Sequence, residues 1–397
     1  MLAKMPGQAA RVIQTIHAAG GRAYLVGGAL RDLALGGTPK DWDFATTLSP
    51  QKLLALLPGA RLIGGGCGTV QAHFVDSCLK PYSDWTYEIT PCRTESGYSD
   101  RRHPDVVEFV PDILADLARR DFTVNAMAWD GQVLFDPFGG QRDLRLRLLR
   151  CVGNPADRFN EDPLRVLRLF RLAAQLGFTA EWETFCAAGE AMELIATLPK
   201  DRVAAEVRNI LFSDGPQVLS GVIVKGGLHG YGFDFAPALN ALREVPSLPL
   251  CRWWGLIALC GADIENVCRA FGFSRRFQAD LENCTRLYRQ GPALDNTSLK
   301  QKLAGSKLDY APIAATFAAV SPAFAAEPAL FASVCARHEP YRREDLAVNG
   351  DMLAAEGIQG RHCGKVLDAL LAAVIQNPAL NKAEVLLGLA RGLKKTL

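Results

Sequence analysis

The chain has 397 residues, of which 49% are hydrophobic, and its formal net charge is +2. A chain of this length exceeds what one hydrophobic core usually organises, so two to four domains are expected. No run of about 18 apolar residues occurs, and polar residues interrupt the segment after Met1, so we expect neither a membrane span nor a signal peptide. The eleven cysteines lack zinc-ligand spacing, which predicts reduced cysteines in a cytoplasmic protein.

Short segments of β-type composition, separated by turn residues, occupy residues 22–136. They read AYLVGG, DWDFAT, TVQAHFV, WTYEIT and VVEFV. Helical pieces such as residues 53–57 lie between them, which predicts one sheet with helices packed against it. The stretch PFGGQRDL at 137–144 is rich in turn residues and predicts the exit from this domain.

Beyond this point the pattern becomes helical. Helical spacing or composition covers residues 162–176, 181–197, 201–212, 251–270, 275–289, 311–335 and 364–374. We therefore predict an α+β fold, in which a mixed α/β domain over residues 1–140 is followed by all-α segments over 141–215, 216–335 and 336–397.

Two aspartates flank one tryptophan in DWDFAT. On a strand, side chains at i and i+2 point to the same face, so Asp41 and Asp43 converge while Trp42 points into packing. Two ionised carboxylates this close repel each other unless a cation lies between them. Oxygen ligands suit Mg²⁺, which completes its shell with water and substrate phosphate. The pair therefore predicts a Mg²⁺ site.

A glycine pair precedes these aspartates. Gly27 and Gly28 lie between AYLV and a predicted helix, where bare backbone N–H groups can approach a phosphate closely. Arg31, one turn further on, can bind the same phosphates with its guanidinium fork. A two-metal site needs a third carboxylate, and Glu88 in WTYEIT is the candidate.

Three longer motifs carry a resemblance to a known family. They are GGALRDLALGGTPKDWDFATT at 27–47, LARRDFTVNAMAWD at 117–130 and EDPLRVLRLFRLAAQLGF at 161–178. In this order they closely resemble the class II tRNA nucleotidyltransferases, the CCA-adding enzymes of the polymerase β-type superfamily. YSDRRHP at 98–104 is similar to the family's flexible loop, Arg202 and Glu206 resemble its R-x-x-x-E motif, and residues 345–371 are similar to the tail of its shorter bacterial members.

The resemblance implies a nucleotidyltransferase head over residues 1–140, a helical neck that reads the nucleobase, a helical body and a tRNA-binding helical tail. It implies that Asp41 and Asp43 bind two Mg²⁺ ions and that Glu88 completes one of the two sites. One ion would lower the pKa of the terminal RNA hydroxyl, and the other would steady the departing pyrophosphate. The family's usual Thr-Phe-Arg after the third carboxylate is Pro-Cys-Arg here, at residues 91–93.

The motif RRDFTVNA resembles the ribose-reading segment of the family. The resemblance places Arg120 and Asp121 near the sugar and phosphates of the nucleotide, with Asn125 nearby. Asp121 or Thr123 could also cap the N-terminus of a helix at this position, which is compatible with the same role.

The segment EDPLR predicts how a nucleobase is chosen. In a helix, Asp162 and Arg165 lie one turn apart on one face and offer a planar acceptor beside a planar donor fork. Cytosine N4 and adenine N6 donate toward Asp162, whereas cytosine N3 and adenine N1 accept from Arg165. Uracil and guanine present the reverse polarity, so such a surface would select CTP and ATP without a template. Glu161 is expected to brace Arg165, and Arg168 to reach the triphosphate.

The helical remainder is expected to bind RNA. The arginine-rich stretch 142–171 and the terminal Arg391, Lys394 and Lys395 would contact the phosphate backbone. Recognition would be by shape, because every tRNA must be served. The expected partners are tRNA, CTP and ATP, with no membrane, and the sequence does not determine the oligomeric state.

Several alternatives stay open. Bacterial poly(A) polymerases share the head, although LIGGGCGTV at 62–70 looks closer to the CCA-adding pattern. The YSDRRHP loop argues against a CC-adding enzyme, whereas an A-adding enzyme has nearly the same motifs. A catalytically silent RNA-binding protein is a further alternative, against which the intact carboxylates and EDPLR argue. None of the six histidines is followed by aspartate, so we expect no phosphohydrolase activity of the His-Asp type.

Overall fold

The computed structural model describes residues 7–39, 41–57, 59–63, 68–74, 85–99, 101, 104–237 and 239–394. The chain forms two compact units. Unit 1 runs to Ile210 and includes Lys225–Gly227, and unit 2 comprises Leu211–Val224 and Leu228–Leu397. The predicted head and most of the predicted neck fall within unit 1. The finer division into four domains stays a prediction.

Unit 1 contains the strands of the structure. They are β1 Ala23–Val26, β2 Trp42–Thr46, β3 Arg61–Ile63, β4 Thr69–Phe74, β5 Trp85–Pro91, β6 Arg93–Ser96, β7 Val106–Phe109, β8 Ala128–Trp129, β9 Leu134–Phe135, β10 Leu148–Leu149 and β11 Thr179–Ala180. Seven of them form one sheet in the order β3-β4-β5-β2-β1-β8-β9. Strands β2 and β5 pair in parallel, and the other neighbouring strands of this sheet are antiparallel.

One face of this sheet is packed with apolar side chains. Leu25, Phe44 and Ile89 are almost completely buried, and the rings of Phe44 and Tyr87 meet edge to face at 5.9 Å. Because side chains alternate along a strand, Asp43 and Glu88 emerge on the opposite face. The apolar residues therefore fix the register that brings the acidic residues together.

The predicted strand VVEFV lies outside this sheet. Val106–Phe109 pairs antiparallel with Arg93–Ser96 as a separate two-stranded sheet. The prediction of one sheet was wrong at this point, because strand composition does not specify the pairing partner. The remaining predicted strands belong to the main sheet.

Unit 1 also contains the helices that surround the sheet. They are α1 Gly7–Ala18, α2 Gly27–Ala34, α3 Pro50–Leu56, α4 Ile113–Ala118, α5 Gly140–Leu146, α6 Pro155–Glu161, α7 Leu164–Leu176, α8 Trp182–Glu190 and α9 Lys200–Leu211, whose last residue belongs to unit 2. Helix α5 begins inside the stretch that we predicted as a turn. Gly139, with φ +75°, makes the turn, and Asp136 accepts hydrogen bonds from the N–H groups of Gly140 and Gln141.

The regular elements in the described part of unit 2 are all helices. Its helices are α10 Leu219–Val224, α11 Pro249–Cys260, α12 Ile264–Phe271, α13 Arg275–Arg289, α14 Asn296–Leu303, α15 Tyr310–Val320, α16 Glu327–Ala336, α17 Gly350–Ala355, α18 Arg361–Gln376 and α19 Ala383–Lys394. None of the described helices of the chain is long and apolar enough to cross a membrane.

In unit 2, the predicted helical segments 251–270 and 311–335 each form two helices. Gly261 adopts φ +63° after α11, and Asp263 caps the first turn of α12 by accepting from the N–H of Asn266. Pro322 follows α15, and the chain turns through a short 3₁₀ helix before α16. Both breaks carry residue types that end or cap helices, and the periodicity alone did not reveal them.

Candidate active site

The acidic residues meet where β2 lies beside β5. Asp41 precedes β2 and is exposed, and Asp43 is its second residue. Asp43 lies directly opposite Glu88 in the parallel register. Burial raises the pKa of Asp43, and the charges of Glu88 and Asp41 raise it further against the opposing effect of Arg120. A carboxyl in this position gains most from a cation, which would offset both the burial and the repulsion.

The glycine pair forms the turn from β1 into α2, as predicted. Gly27 has φ +66°, and a Cβ added there would lie 3.2 Å from Arg120 Nη1 and 3.5 Å from Asp43 Oδ2. The residue before the helix, Val26, provides no side-chain cap. The N–H groups of the first turn of α2 therefore have no side-chain acceptor at the cap position and begin beside the guanidinium of Arg120, which suits an anion.

Two adjacent arginines are held by one buried carboxylate. Asp116, on α4, is 1% exposed. Its Oδ1 accepts from Arg119 Nη2 at 2.7 Å, and its Oδ2 accepts from Arg120 Nη2 at 3.0 Å. Burial acts to raise the pKa of Asp116, but the charges of Arg120 and Arg119 outweigh it, so the pKa lies below its ordinary value. This ion pair fixes Arg120 beside Gly27.

Asp121 joins the head to helix α7. Its Oδ2 accepts from Arg168 Nη2 at 2.6 Å, and its Oδ1 accepts from the Phe122 N–H and from Asn125 Nδ2. Burial acts to raise the pKa of Asp121, but Arg168 and these hydrogen bonds outweigh it and lower the pKa. Asn125 Oδ1 in turn accepts from Arg31 Nη1 at 2.7 Å. The segment Thr123–Asn125 is a 3₁₀ turn in the structure.

Asp162 and Arg165 are not on one continuous helix, so the prediction of a common helix face was wrong. Helix α6 ends at Glu161, and Asp162 has an extended backbone with φ −142° and ψ 98°. Pro163 follows, and a residue before proline is disfavoured in the helical region. Asp162 Oδ1 accepts from the Leu164 N–H at 3.1 Å, and Asp162 Oδ2 lies 3.3 Å from Arg202 Nη2.

Arg165 lies in the first turn of α7 and is held in the manner predicted. Its Nη1 donates to Glu161 Oε2 at 2.7 Å and to the carbonyl oxygen of Arg158 at 3.1 Å. Its Nη2 donates to the carbonyl oxygen of Arg119 at 3.4 Å. Glu161 therefore braces the guanidinium, and the bond to Arg119 connects it to the head.

These residues surround one cavity of about 380 Å³ within unit 1. Nine of the predicted site residues line it: Gly27, Gly28, Asp43, Arg120, Asp121, Asn125, Asp162, Arg165 and Arg168. The other four are each linked to a lining residue. Asp41 and Glu88 act on Asp43 through their charges, Arg31 bonds to Asn125, and Glu161 bonds to Arg165.

Besides three apolar residues, five further lining residues were missed as nucleotide-site residues by the sequence reasoning: Thr69, Thr90, Arg93, Arg119 and Arg202. Arg119 adjoins Arg120 in the same motif, so the role predicted for Arg120 could have led to Arg119. Arg202 was recognised only as part of the neck motif. The two threonines carry no charge and no characteristic spacing, so only the pairing of β4 with β5 reveals them.

The acidic residues fit Mg²⁺ when substrate oxygens complete its shell. Among the described residues, no three or more His, Cys, Asp or Glu side chains group closely enough to hold a metal ion by themselves. Mg²⁺ is typically bound through one or two carboxylates together with water and substrate phosphates. The oxygen-only donors Asp41, Asp43 and Glu88 match that chemistry, and a cation would offset the burial and the neighbouring negative charges that raise the pKa of Asp43.

Three motif segments lie partly outside the described residues. These are residue 40 of GGALRDLALGGTPKDWDFATT, residues 64–67 of LIGGGCGTV and residues 100, 102 and 103 of YSDRRHP, and the same holds for Lys395. Within the described part of the loop motif, Tyr98 donates to Glu95 Oε2 at 2.7 Å. Glu95 also accepts from Arg93 and Arg119, so the base of the loop segment is tied to the cavity wall.

The profile of the Poly A polymerase head domain matches residues 23–150. This range contains the seven-stranded sheet, the three acidic residues and the glycine turn. The fold and the site therefore define a nucleotidyltransferase head, followed by a helical remainder.

Known proteins resemble the chain well beyond this head. The CCA-adding enzyme of Geobacillus sp. (strain WCH70) is 34% identical over 326 residues, which cover 78% of this chain and 77% of that protein. The CCA-adding enzyme of Lactiplantibacillus plantarum is 32% identical over 414 residues, which cover 98% of each chain. The crystal structure of the Bacillus stearothermophilus CCA-adding enzyme in complex with CTP superposes with a TM-score of 0.74 at 26% identity, covering 99% of this chain and 100% of that one.

The chain belongs to the family of CCA-adding enzymes. The predicted family and the predicted α+β fold, with a mixed head and a helical remainder, are confirmed.

Proposed function

We propose that this protein adds the sequence CCA to the 3′ end of tRNA from CTP and ATP, without a nucleic-acid template. The names of its relatives support the reaction, and the B. stearothermophilus structure contains CTP. The observation that carries the proposal is the single cavity that holds Asp43, Gly27 and Arg120 together with Asp162 and Arg165. Phosphate-binding groups and a base-reading pair thus lie within reach of one nucleotide.

The choice of base rests on Asp162 and Arg165. Both line the cavity although they lie on different backbone segments. A carboxylate acceptor beside a guanidinium donor complements the N4 and N3 edge of cytosine and the N6 and N1 edge of adenine. Uracil and guanine would leave both protein groups unpaired, and each unpaired buried group costs about 1–3 kcal/mol. The two residues therefore select CTP and ATP.

The triphosphate is bound at the turn from β1 into α2. The N–H groups after Gly27 and the guanidinium of Arg120 supply positive charge there. Asp41, Asp43 and Glu88, on and just before the adjacent strands, would hold Mg²⁺. Two Mg²⁺ ions bound there would lower the pKa of the attacking RNA hydroxyl and neutralise charge on the departing pyrophosphate. Asp121, Arg168 and Asn125 hold the head and α7 in the geometry that brings the base and the phosphates to the same cavity.

The tRNA is bound through its backbone by basic side chains. Arg142, Arg145 and Arg147, on and after α5, are exposed and close in sequence to the base-reading segment. Arg391 and Lys394, which were expected to serve the same purpose, are engaged by Glu356 in the structure. We therefore propose that Arg142, Arg145 and Arg147 bind the acceptor end of the RNA. The free cysteines among the described residues suit a cytoplasmic location, which we propose for this enzyme.

The test uses tRNA transcripts that end before CCA, after the first C, or after both, each offered CTP, ATP, UTP or GTP in turn. The proposal predicts C, C and A at successive steps and exclusion of UTP and GTP. Incorporation of A alone, confined to the third transcript, would select an A-adding enzyme. Long A tails on unrelated RNA would select a poly(A) polymerase, and binding without incorporation would select a silent RNA-binding protein.

A further inference from the structure

Two threonine hydroxyls form a neutral patch in a cavity wall that is otherwise mostly charged. Thr69 is the first residue of β4, and Thr90 lies on the neighbouring strand β5. Their Oγ1 atoms are 3.1 Å apart, and both residues line the cavity. Neither was assigned a role in the reaction above.

The threonine pair and the glycine turn lie on opposite sides of Asp43 in the sheet. Strand β2, which carries Asp43, lies between β1 and β5. The glycine turn follows β1, on one side of Asp43, and Thr90 and Thr69 lie on β5 and β4, on the other side. With strands spaced by 4.7–4.9 Å, the hydroxyl pair is roughly 5–10 Å from the Asp43 strand.

The geometry of nucleotidyl transfer then separates the two substrates. The attacking and leaving oxygens lie on opposite sides of the reacting phosphorus, roughly in line. Since the turn at Gly27 and Arg120 binds the triphosphate, the pyrophosphate leaves on the β1 side. The attacking hydroxyl of the RNA must therefore approach from the β5 side, where the threonines lie.

The chemistry of the pair suits a sugar better than a phosphate. Neither hydroxyl carries the positive charge that would favour a phosphate over a neutral group at this position. Each threonine hydroxyl donates once and accepts twice. After one hydrogen bond between them, the pair retains one donor and several acceptor positions. A ribose 2′-hydroxyl, which both donates and accepts, is the matching group.

We propose that Thr69 and Thr90 are positioning residues for the acceptor RNA and hydrogen-bond the 2′-hydroxyl of its terminal ribose. The pair would thereby orient the adjacent 3′-hydroxyl toward the α-phosphate. This inference rests on the proposed function, because it names the acceptor subsite of the same reaction.

The experiment measures A addition to a tRNA that lacks only its terminal A, with either a ribose or a 2′-deoxyribose at the last C. Thr90→Val and Thr69→Val remove one hydroxyl each with little change of shape, and Thr90→Ser keeps it. With the ribose acceptor we expect each valine variant to lose about 2- to 12-fold in kcat/KM for tRNA, the equivalent of one hydrogen bond. The KM for ATP stays unchanged, and Thr90→Ser stays within about twofold of wild type.

The deoxyribose acceptor distinguishes positioning from a structural effect. Wild type should lose a similar factor on this acceptor, and the valine variants should lose little more, because the missing partner has already removed the bond. The same proportional loss on both acceptors, or a loss confined to the KM for ATP, would overturn the inference while leaving the proposed function intact. Wild type that extends neither acceptor would overturn the proposed function itself.

Discussion

Asp43 and Glu88 occupy the same register position on two parallel strands, with their side chains on the same face of the sheet. Two ionised carboxylates can form neither an ion pair nor a hydrogen bond with each other, so burial of Asp43 and the nearby charge of Glu88 both raise the pKa of Asp43. The apolar residues on the other face, such as Phe44 and Ile89, maintain this register. The fold therefore holds the acidic residues in place for a cation.

Asp43→Asn should stabilise the protein in the absence of divalent cations. The pKa of Asp43 is raised above its ordinary 3.8 in the folded protein. Ionisation of Asp43 therefore lowers the free energy of unfolding. This loss is absent below the pKa of the unfolded chain and grows as the pH rises through the folded pKa. At neutral pH the variant should melt above wild type, by roughly 2–4 °C for each kcal/mol of penalty removed. The difference should shrink toward acid.

Mg²⁺ should reverse this order. Thermal melts with added Mg²⁺ should raise the Tm of wild type and leave that of Asp43→Asn nearly unchanged, since the ion binds through Asp43. Asp351→Asn, which removes an exposed carboxylate from α17, is the matched control and should respond as wild type does. An equal gain from Mg²⁺ in Asp43→Asn would contradict the assignment of this carboxylate to the metal.

Gly27→Ala should impair nucleotide binding beyond its effect on folding. The added Cβ would lie 3.2 Å from Arg120 Nη1, at the place where the phosphates are bound. A left-handed backbone also costs a non-glycine residue roughly 1–2 kcal/mol. Gly36→Ala separates the two effects, because Gly36 has φ +81° and its Cβ would meet nothing within 4 Å. Both variants should lose similar stability in urea melts, and only Gly27→Ala should raise the KM for CTP and ATP. A similar KM change in both would show that strain alone is responsible.

Arg165→Lys should relax the choice of base more than it weakens triphosphate binding. Lysine keeps the charge but loses the planar fork that complements cytosine N3 and adenine N1. The ratio of kcat/KM for CTP over UTP should fall by about 5- to 150-fold, which corresponds to the roughly 1–3 kcal/mol of an unpaired polar group. Arg269→Lys, which changes an exposed arginine outside the cavity in the same way, is the control and should leave this ratio unchanged. Selectivity that survives the substitution would argue against reading of the base by Arg165.

Glu327→Gln should strongly destabilise the helical unit. Glu327 is completely buried, and its Oε1 accepts from Lys302 Nζ at 2.6 Å and from the Ala293 N–H at 2.7 Å. Tyr310 donates to its other oxygen. Removing one partner of a buried ion pair leaves an uncompensated charge and costs about 3–5 kcal/mol.

The exposed pair of Glu265 and Arg269 is the control for this prediction. Their charged atoms are 2.7 Å apart, and both side chains are about two-thirds exposed. Glu265→Gln should change the free energy of unfolding by less than about 0.5 kcal/mol. Urea unfolding followed by tryptophan fluorescence would measure both variants. Losses of equal size would mean that burial does not determine the contribution of the Glu327 pair.

The sequence predicted most of the site because its chemistry depends on local patterns. Alternation in DWDFAT placed Asp43 opposite the packed face, and a glycine pair after a strand predicted the turn at Gly27. Asp162 was placed wrongly because helical spacing was read across Pro163, although a residue before proline favours the extended backbone observed. Thr69 and Thr90 could not be found, since their proximity depends on the pairing of β4 with β5, which no local pattern encodes.

Single-turnover incorporation of CMP into a tRNA that ends before CCA, with the binding of the same tRNA measured in parallel, shows whether Asp41 and Asp43 carry the reaction. We expect Asp41→Ala and Asp43→Ala each to abolish incorporation while the Kd for tRNA stays within about threefold of wild type, because a change of about 0.65 kcal/mol or less is expected away from the RNA backbone contacts. Incorporation that persists in Asp43→Ala at a rate near that of wild type would contradict this expectation.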